Sequence, residues 1–304
     1  MQRPLLLGIL ATAFWASNFD ATRIALESLA PLTAASLRFV IATIAIMTLL
    51  ACTEGLALAP LRRNLLAFPA LGILGVAGFN AALCIGLQSS SPLTGALIMA
   101  TTPLSSTLLE SLLTRKWPAV QTFCGMALSL FGVALVLGRG HFATIGAMLT
   151  PGDLVIFAGS LAWAAYGVGC KRFVKDASPL AISSWTMLFG TIALVLTSLT
   201  EGNPLRAAWR AAPDALLASL WMGIVGSALA YIFWTIAIAG RGVARTAILF
   251  NLVPVFAMLI GWGIGRAPAP LQILGTAITI LGVALTQMRL SRLTARPSRG
   301  PIAS

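Results

Sequence analysis

The sequence predicts an all-α polytopic membrane protein whose ten transmembrane helices form two inverted five-helix repeats. Three observations predict it. The 304-residue chain is 58% hydrophobic and 9% charged, whereas a soluble domain carries about 25% charged residues. Apolar stretches of bilayer-spanning length, about 20 residues, recur almost end to end. The two halves also echo one another: "WASNFDATRIALESLAP" at 15–31 and "WAAYGVGCKRFVKDASP" at 163–179 share an opening Trp-Ala, a cation eight residues on and a closing Pro.

Ten stretches meet the length and hydropathy criteria: 4–24, 32–52, 64–87, 92–113, 118–138, 151–171, 179–199, 213–238, 242–264 and 268–289. The first has Arg3, an apolar run and small residues at Ala11 and Ala13, the outline of a signal peptide. Cleavage would remove Trp15, whose counterpart Trp163 is kept, so the stretch reads as a retained helix. The second contains Arg38. The third and eighth share the echo "LGILGVAGFN" and "MGIVGSALAY", which aligns Asn80 with Tyr231. Pro103 interrupts the fourth and Pro254 the ninth. Arg115 aligns with Arg266 and Gln121 with Gln272, and "GVAL" recurs at 132–135 and 282–285. Offsets of 148 to 151 residues hold throughout. The expected organisation is a first repeat over 1–148, a second over 149–290 and a basic, disordered cytoplasmic tail over 291–304.

Five helices per repeat is an odd number, so the second repeat enters the membrane in the opposite sense. Inverted repeats are characteristic of secondary transporters, which bind substrate near the midplane between the halves. Two such halves offer two near-equivalent packings, one open to each side, which is the geometry of alternating access.

The net charge of +12 does not point to nucleic acid. With both termini cytoplasmic, 14 of the 20 Lys and Arg fall on the inner side, including Arg62, Arg63, Lys171, Arg172 and the tail. That is the positive-inside bias of an inner-membrane protein, and the tail reads as an anchor against anionic lipid. Cys52, Cys84, Cys124 and Cys170 form no paired motif, and the single histidine, His141, falls in a loop, so no metal or cofactor is expected. There is no phosphate-binding loop, and no His or acidic cluster for a membrane enzyme. Large Ala, Leu and Gly surfaces permit a homodimer.

"FWASNFDATRIALESLAPLTAASLRFVIA" resembles the first two helices of the EamA family in the drug/metabolite transporter (DMT) superfamily, and the resemblance extends over about 4–289. It implies ten helices in two halves around a central cavity, and export or exchange of small metabolites, often amino acids. Within the family, the aromatic amino-acid exporters of the YddG type are the preferred comparison. The sequence departs from the family pattern where Gly-Glu-Arg often ends the fourth and ninth helices. Thr114-Arg115-Lys116 and Gly265-Arg266-Ala267 stand there instead, so no role of that Glu carries over. Nor does the first helix hold the embedded Glu of the short relatives that expel cationic drugs; it has Trp15, Ser17 and Asn18.

Polar groups inside a membrane tend to face cavities or other helices. Trp15, Asn18 and Thr22 share one helical face with Ser17 beside it, and Trp163, Tyr166 and Cys170 form the equivalent face. Aromatic faces suit stacking and cation–π contact, and amides suit the two charges of a zwitterion. Interfacial anchoring is the alternative for Trp163 and Tyr166. Asn80, Tyr231, Trp234, Thr101 and Asn251 complete the expected substrate-binding set; the alternatives are helix-to-helix hydrogen bonding for Asn80 and Tyr231, bonding to the bent backbone around Pro103 for Thr101, and satisfying a carbonyl freed by the Pro254 kink for Asn251. Asp20 and Arg38 are candidate gates, alternatively an exposed ion-pair ladder with Arg23 and Glu27 and an outward-snorkelling arginine. Pro103 and Pro254 are candidate hinges, and Glu110 is expected to pair with a cation at the inner face. The expected partners are a small-molecule substrate and membrane lipid. Drugs, sugars and nucleotide sugars remain alternative cargoes, and a non-transporting scaffold an alternative role.

Overall fold

The computed structural model describes residues 2–56, 58–90, 92–138 and 150–287, and every long element is helical. His141, Arg139 and the basic tail lie outside the described residues. We number the ten long helical stretches in order: α1 Gln2–Leu26, α2 Pro31–Glu54, α3 Ala67–Gly86, α4 Pro92–Ala100 with Thr102–Thr114, α5 Val120–Gly138, α6 Pro151–Arg172, α7 Pro179–Ser198, α8 Pro213–Arg241, α9 Val243–Gly263 and α10 Pro270–Gln287. Among the described residues nine are long and apolar enough to cross a membrane, and α10 is a shorter apolar helix. Large apolar side chains such as Leu49, Leu112, Leu196 and Leu281 cover the outer surface, as a lipid-facing surface requires.

The helix starts follow local chemistry. α2, α6, α7 and α8 open on Pro, whose fixed φ and missing N–H suit a first helical turn. Thr150 and Asp153 form a reciprocal capping box on α6. Glu201, just past α7, accepts from the backbone N–H groups of Leu32 and Thr33 at 2.9 and 2.8 Å, which places a carboxylate at the positive end of α2.

The helix pairing is unchanged by a shift of five. α1 packs on α8 and α9 as α6 packs on α3 and α4; α2 meets α8 as α7 meets α3; and α2–α7, α4–α9 and α5–α10 pair with each other. Thr43 and Thr191, which the sequence repeat aligns, share a hydrogen bond of 2.7 Å. Ser36 donates to the Leu194 carbonyl while Ser184 donates to that of Ile46, so α2 and α7 run antiparallel. α5 and α10 also cross antiparallel, with Gly125 against Gly282 and Thr286, and Gly132 against Gly275 and Thr279. A Cβ at either α5 glycine would strike the partner, the close small-residue contact typical of membrane helices. Gln121 and Gln272 each reach across this seam, to the carbonyls of Leu285 and Val136.

The interruptions are paired too. α3 is π-helical over Gly72–Gly78 and α8 over Ile224–Leu229. α4 breaks at Thr101 before Pro103, and α9 turns 3-10 over Ile248–Leu252 before Pro254. Arg3, Arg62, Arg63, Arg115, Lys116, Lys171, Arg172, Lys175, Arg241 and Arg245 all lie at or beside helix ends on one side of the bundle, hereafter the basic face.

Candidate functional site

A cavity of ≈ 320 Å³ lies between the parts of α1, α2, α3, α4 and α9 that point away from the basic face. Its wall includes Trp15, Asn18, Thr22, Arg38, Asn80, Trp163, Tyr231, Phe250, Asn251 and Pro254. The size suits a small metabolite. Among the residues lining it, Arg38 is the one charged side chain and none is a carboxylate.

The π-helical turn of α8 holds that charge. It presents the Gly226 carbonyl, which accepts from Arg38 Nη2 at 3.2 Å and from Asn18 Nδ2 at 3.3 Å. Arg38 Nε also donates to Ser227 Oγ at 2.7 Å, and the guanidinium carbon stands 4.9 Å from the Phe39 ring centroid. Neutral oxygens and an aromatic face thus hold the cation, and among the described residues no carboxylate pairs with it. π turns recur at functional sites because they displace backbone groups from the regular ladder. Gly226 is required here: a Cβ would overlap the Asn18 amide.

The cavity floor is aromatic. Trp15 lies 5.6 Å from Trp163, 5.0 Å from Trp234 and 5.6 Å from Phe250, and Trp163 is stacked on Tyr166 at 5.3 Å. Trp163 is also edge-on to Tyr231 at 5.4 Å and tilted against Phe79 at 5.3 Å. Such pairs contribute about 0.5–1.5 kcal/mol each beyond their burial. Beneath this layer is a void of only ≈ 10 Å³, bounded by Trp163, Trp234, Phe250, Thr102 and Ser106. A wider recess of ≈ 640 Å³ follows at the basic face, lined in part by Glu110, Lys116 and Arg172. There Glu110 stands 3.8 Å from Lys171 and accepts from the Ala244 backbone N–H at 2.9 Å, tying α4 to α6 and to the first turn of α9. The cavity and the recess at the basic face are thus separated by the aromatic layer and a void of only ≈ 10 Å³.

The structure gathers Trp15, Asn18, Asn80, Trp163, Tyr231, Asn251, Arg38 and Pro254 at the cavity. Trp234 lies one layer deeper. Tyr166 supports the floor from behind, fully buried, with its hydroxyl 3.2 Å from Thr186 Oγ1. Interfacial anchoring is thereby excluded for both Trp163 and Tyr166. Ser17 is outside the cavity, accepting from the exposed Trp221 Nε1 at 3.0 Å. Thr101 donates to the Ile98 carbonyl at the α4 break, and Pro103 is buried in the turn that restarts the helix. Asn251 donates to Ser129 Oγ at 2.8 Å rather than tending the carbonyls near Pro254. Asp20 pairs with Arg266 at 2.7 Å, neither with Arg38 nor in a ladder with Arg23, which faces Glu27 at 3.8 Å. Phe250, Phe79 and Gly226 were not among the expected residues.

The model of the EamA-like transporter family matches the chain twice, over 2–138 and 150–288. The chain is similar to the uncharacterized transporter YyaM of Bacillus subtilis (strain 168), at 34% identity over 92% of this chain and 91% of the relative. It is 26% identical to a probable terminal-alkyne amino-acid exporter of Streptantibioticus cattleyicolor, over 92% of each. It is also 26% identical to the uncharacterized inner membrane transporter YedA of Escherichia coli (strain K12), over 95% of this chain and 92% of the relative. A solved crystal structure at 21% identity shares the fold, with a TM-score of 0.77 over 94% of this chain and 96% of the other. The full-length match to the family model, together with the ten-helix architecture and its paired interruptions, shows that the chain is a multi-pass membrane protein belonging to the EamA-like transporter family.

Proposed function

We propose that the protein is a secondary transporter, not an enzyme, that exports or exchanges small carboxylate-bearing metabolites. Amino acids with aromatic or other neutral side chains are the favoured cargo. The observation that carries this reading is Arg38, a cation without a carboxylate partner among the described residues, in a cavity whose other walls are mostly apolar and aromatic with three amides. In such surroundings a guanidinium attracts a substrate carboxylate, and the Trp15, Trp163 and Phe250 rings accept an apolar side chain. The same charge repels cationic drugs. A single cation is a poor match to the two phosphates of a nucleotide sugar. The name of the Streptantibioticus relative supports amino-acid cargo.

The mechanism we infer is alternating access between two inverted repeats, 1–148 and 149–290, with both termini cytoplasmic. The antiparallel α2–α7 and α5–α10 crossings support the inversion. The concentration of cations on one face supports the orientation, in which the cavity faces outward. With no lining carboxylate to carry a proton, exchange or facilitated diffusion is the expected mode. Pro103 and Pro254, beside paired breaks, serve as hinges in this scheme.

The test is flux in proteoliposomes with labelled Phe, Trp, Thr, Ala and Lys, with and without a pH gradient. Saturable uptake of Phe and Trp, indifferent to pH and absent for Lys, is expected. Folded protein that moves none of these amino acids would overturn the proposal.

A further inference from the structure

The connection from α7 to α8 holds a short helix, Pro204–Arg210, on the side away from the basic face. Asn203 caps it by accepting from the Arg206 N–H at 3.0 Å. Its inward positions are small. Ala207, with Ala211 just beyond the helix, packs against a cluster that includes Ala25, Leu29, Ala34 and Met222, at the ends of α1, α2 and α8. Both ends of the connection are tied down: Glu201 accepts from the start of α2, and the Ala212 N–H donates to Ser28 Oγ at 3.4 Å. What the helix exposes is therefore held in place.

It exposes residues that suit neither water alone nor hydrocarbon alone. Trp209 is 92% accessible and Leu205 82%, and no large apolar side chain among the described residues is more open than Trp209. The two stand four positions apart, on one face. Beside them Arg206 and Arg210 form a second pair at the same spacing. Cations opposite the basic face run against the charge bias of the chain, and the others there have tasks. Arg23 faces Glu27, Arg266 pairs with Asp20, and Arg38 is held in the cavity wall. Among the described residues no carboxylate pairs with Arg206 or Arg210. Glu201 is taken up by α2, and Asp214, in the first turn of α8, forms no ion pair with either.

An apolar pair with a cationic pair beside it matches the boundary between acyl chains and phosphates. Trp settles at the headgroup level, and an amphipathic helix lies in the interface with its apolar face among the acyl chains. Guanidinium groups pair with phosphate oxygens through parallel N–H donors. We propose that Pro204–Arg210 is a lipid-docking helix, which binds the headgroup of an anionic phospholipid through Arg206 and Arg210 and buries Trp209 and Leu205 among its acyl chains. A second copy of the chain fits worse. A two-fold contact centred here sets the arginines of one copy against those of the other, and a helix of seven residues is far short of the roughly 800 Å² a side that stable interfaces bury. Because the helix rests on the ends of α1 and α2, which carry Asn18 and Arg38, the bound lipid braces the wall of the cavity.

The experiment reads Trp209 fluorescence, as the difference between the full chain and its Trp209→Phe variant, in phosphatidylcholine bilayers. The quenchers are brominated-chain phosphatidylglycerol, brominated-chain phosphatidylcholine and water-soluble acrylamide. The readout is local, so lipid held by the cations of the basic face, across about 30 Å of hydrocarbon, does not register. Both lipids are expected to quench Trp209 and acrylamide to do so weakly, with phosphatidylglycerol effective at a fraction about tenfold lower or more. Arg206→Gln/Arg210→Gln is expected to keep quenching by phosphatidylcholine, which also reports that the helix is seated, and to lose about fivefold of the preference for each arginine removed. High salt should weaken the preference in the unaltered chain. Quenching by acrylamide alone overturns the proposal, as does protection from all three quenchers, which a covering protein surface would give. Equal quenching by the two lipids overturns it too, and so does a preference that survives the double substitution. If the double variant cannot be reconstituted, a preference in the unaltered chain that is insensitive to salt overturns it.

Discussion

The two sides of the aromatic layer are built from positions that the sequence repeat aligns, yet they carry different chemistry. Away from the basic face, Asn18 lies on Gly226 and shares its carbonyl with Arg38. The aligned positions, 148 residues on for the side chains and 151 back for the glycine, are Tyr166, Thr186 and Gly75. There the Tyr166 ring lies on Gly75 and its hydroxyl meets Thr186. Both glycines sit in π-helical turns, and at each a Cβ would collide with the side chain laid across it. The repeat has kept the notch and changed what fills it. An amide and a guanidinium leave polar groups facing a cavity, whereas an aromatic ring and a hydroxyl satisfy each other and pack shut. In the proposed alternating-access scheme, two inverted halves with identical residues would have no reason to prefer one packing, and this divergence supplies one.

The comparison can be broken most severely at Trp163, which touches both sides. Trp163→Ala removes the floor and should cost about 3–5 kcal/mol of stability, read as a lowered Tm in detergent, with flux lost as the cavity runs into the void below. The glycines come next. Gly75→Ala and Gly226→Ala should each cost about 1–3 kcal/mol through overpacking. If the two sides differ as described, only Gly226→Ala should also weaken phenylalanine binding, by displacing Asn18 and Arg38; equal effects on binding would remove the distinction. Glu110→Gln sharpens the comparison from the closed side. It weakens the tie to Lys171 and α9, and should raise labelling of a Ser106→Cys reporter from the basic face several-fold in a background without the native cysteines. Asp20→Asn should do least. Its pair with Arg266 is exposed, and such pairs contribute about 0–1 kcal/mol, so transport and Tm should stay near wild type.

How far the sequence foretold these features depends on what contrast each residue had with its surroundings. The ten helices were legible because hydropathy and length suffice, and the pairing of breaks at Pro103 and Pro254 because prolines are visible in any helix. The face of Trp15, Asn18 and Thr22 was legible from helical spacing alone. Ser17 could not be excluded that way, since one position along a helix decides between cavity and rim. Phe250 gave no signal, being one apolar residue among many in an apolar span. The support for Arg38 was hidden as well, because it is a backbone carbonyl made available by a π turn, and no side chain announces it. The Asp20 partner, Arg266, lies 246 residues away; ladder spacing with Arg23 offered a nearer candidate that the fold does not use.

The central claim is that Arg38 takes a substrate carboxylate. It is tested most directly by binding of labelled phenylalanine to the purified protein and to Arg38→Met, with phenethylamine and 3-phenylpropionate as competitors. The account predicts saturable binding to wild type that 3-phenylpropionate displaces weakly and phenethylamine does not, and a loss of about tenfold or more in Arg38→Met. Binding to Arg38→Met as tight as to wild type, or displacement by phenethylamine as strong as by phenylalanine itself, would contradict it.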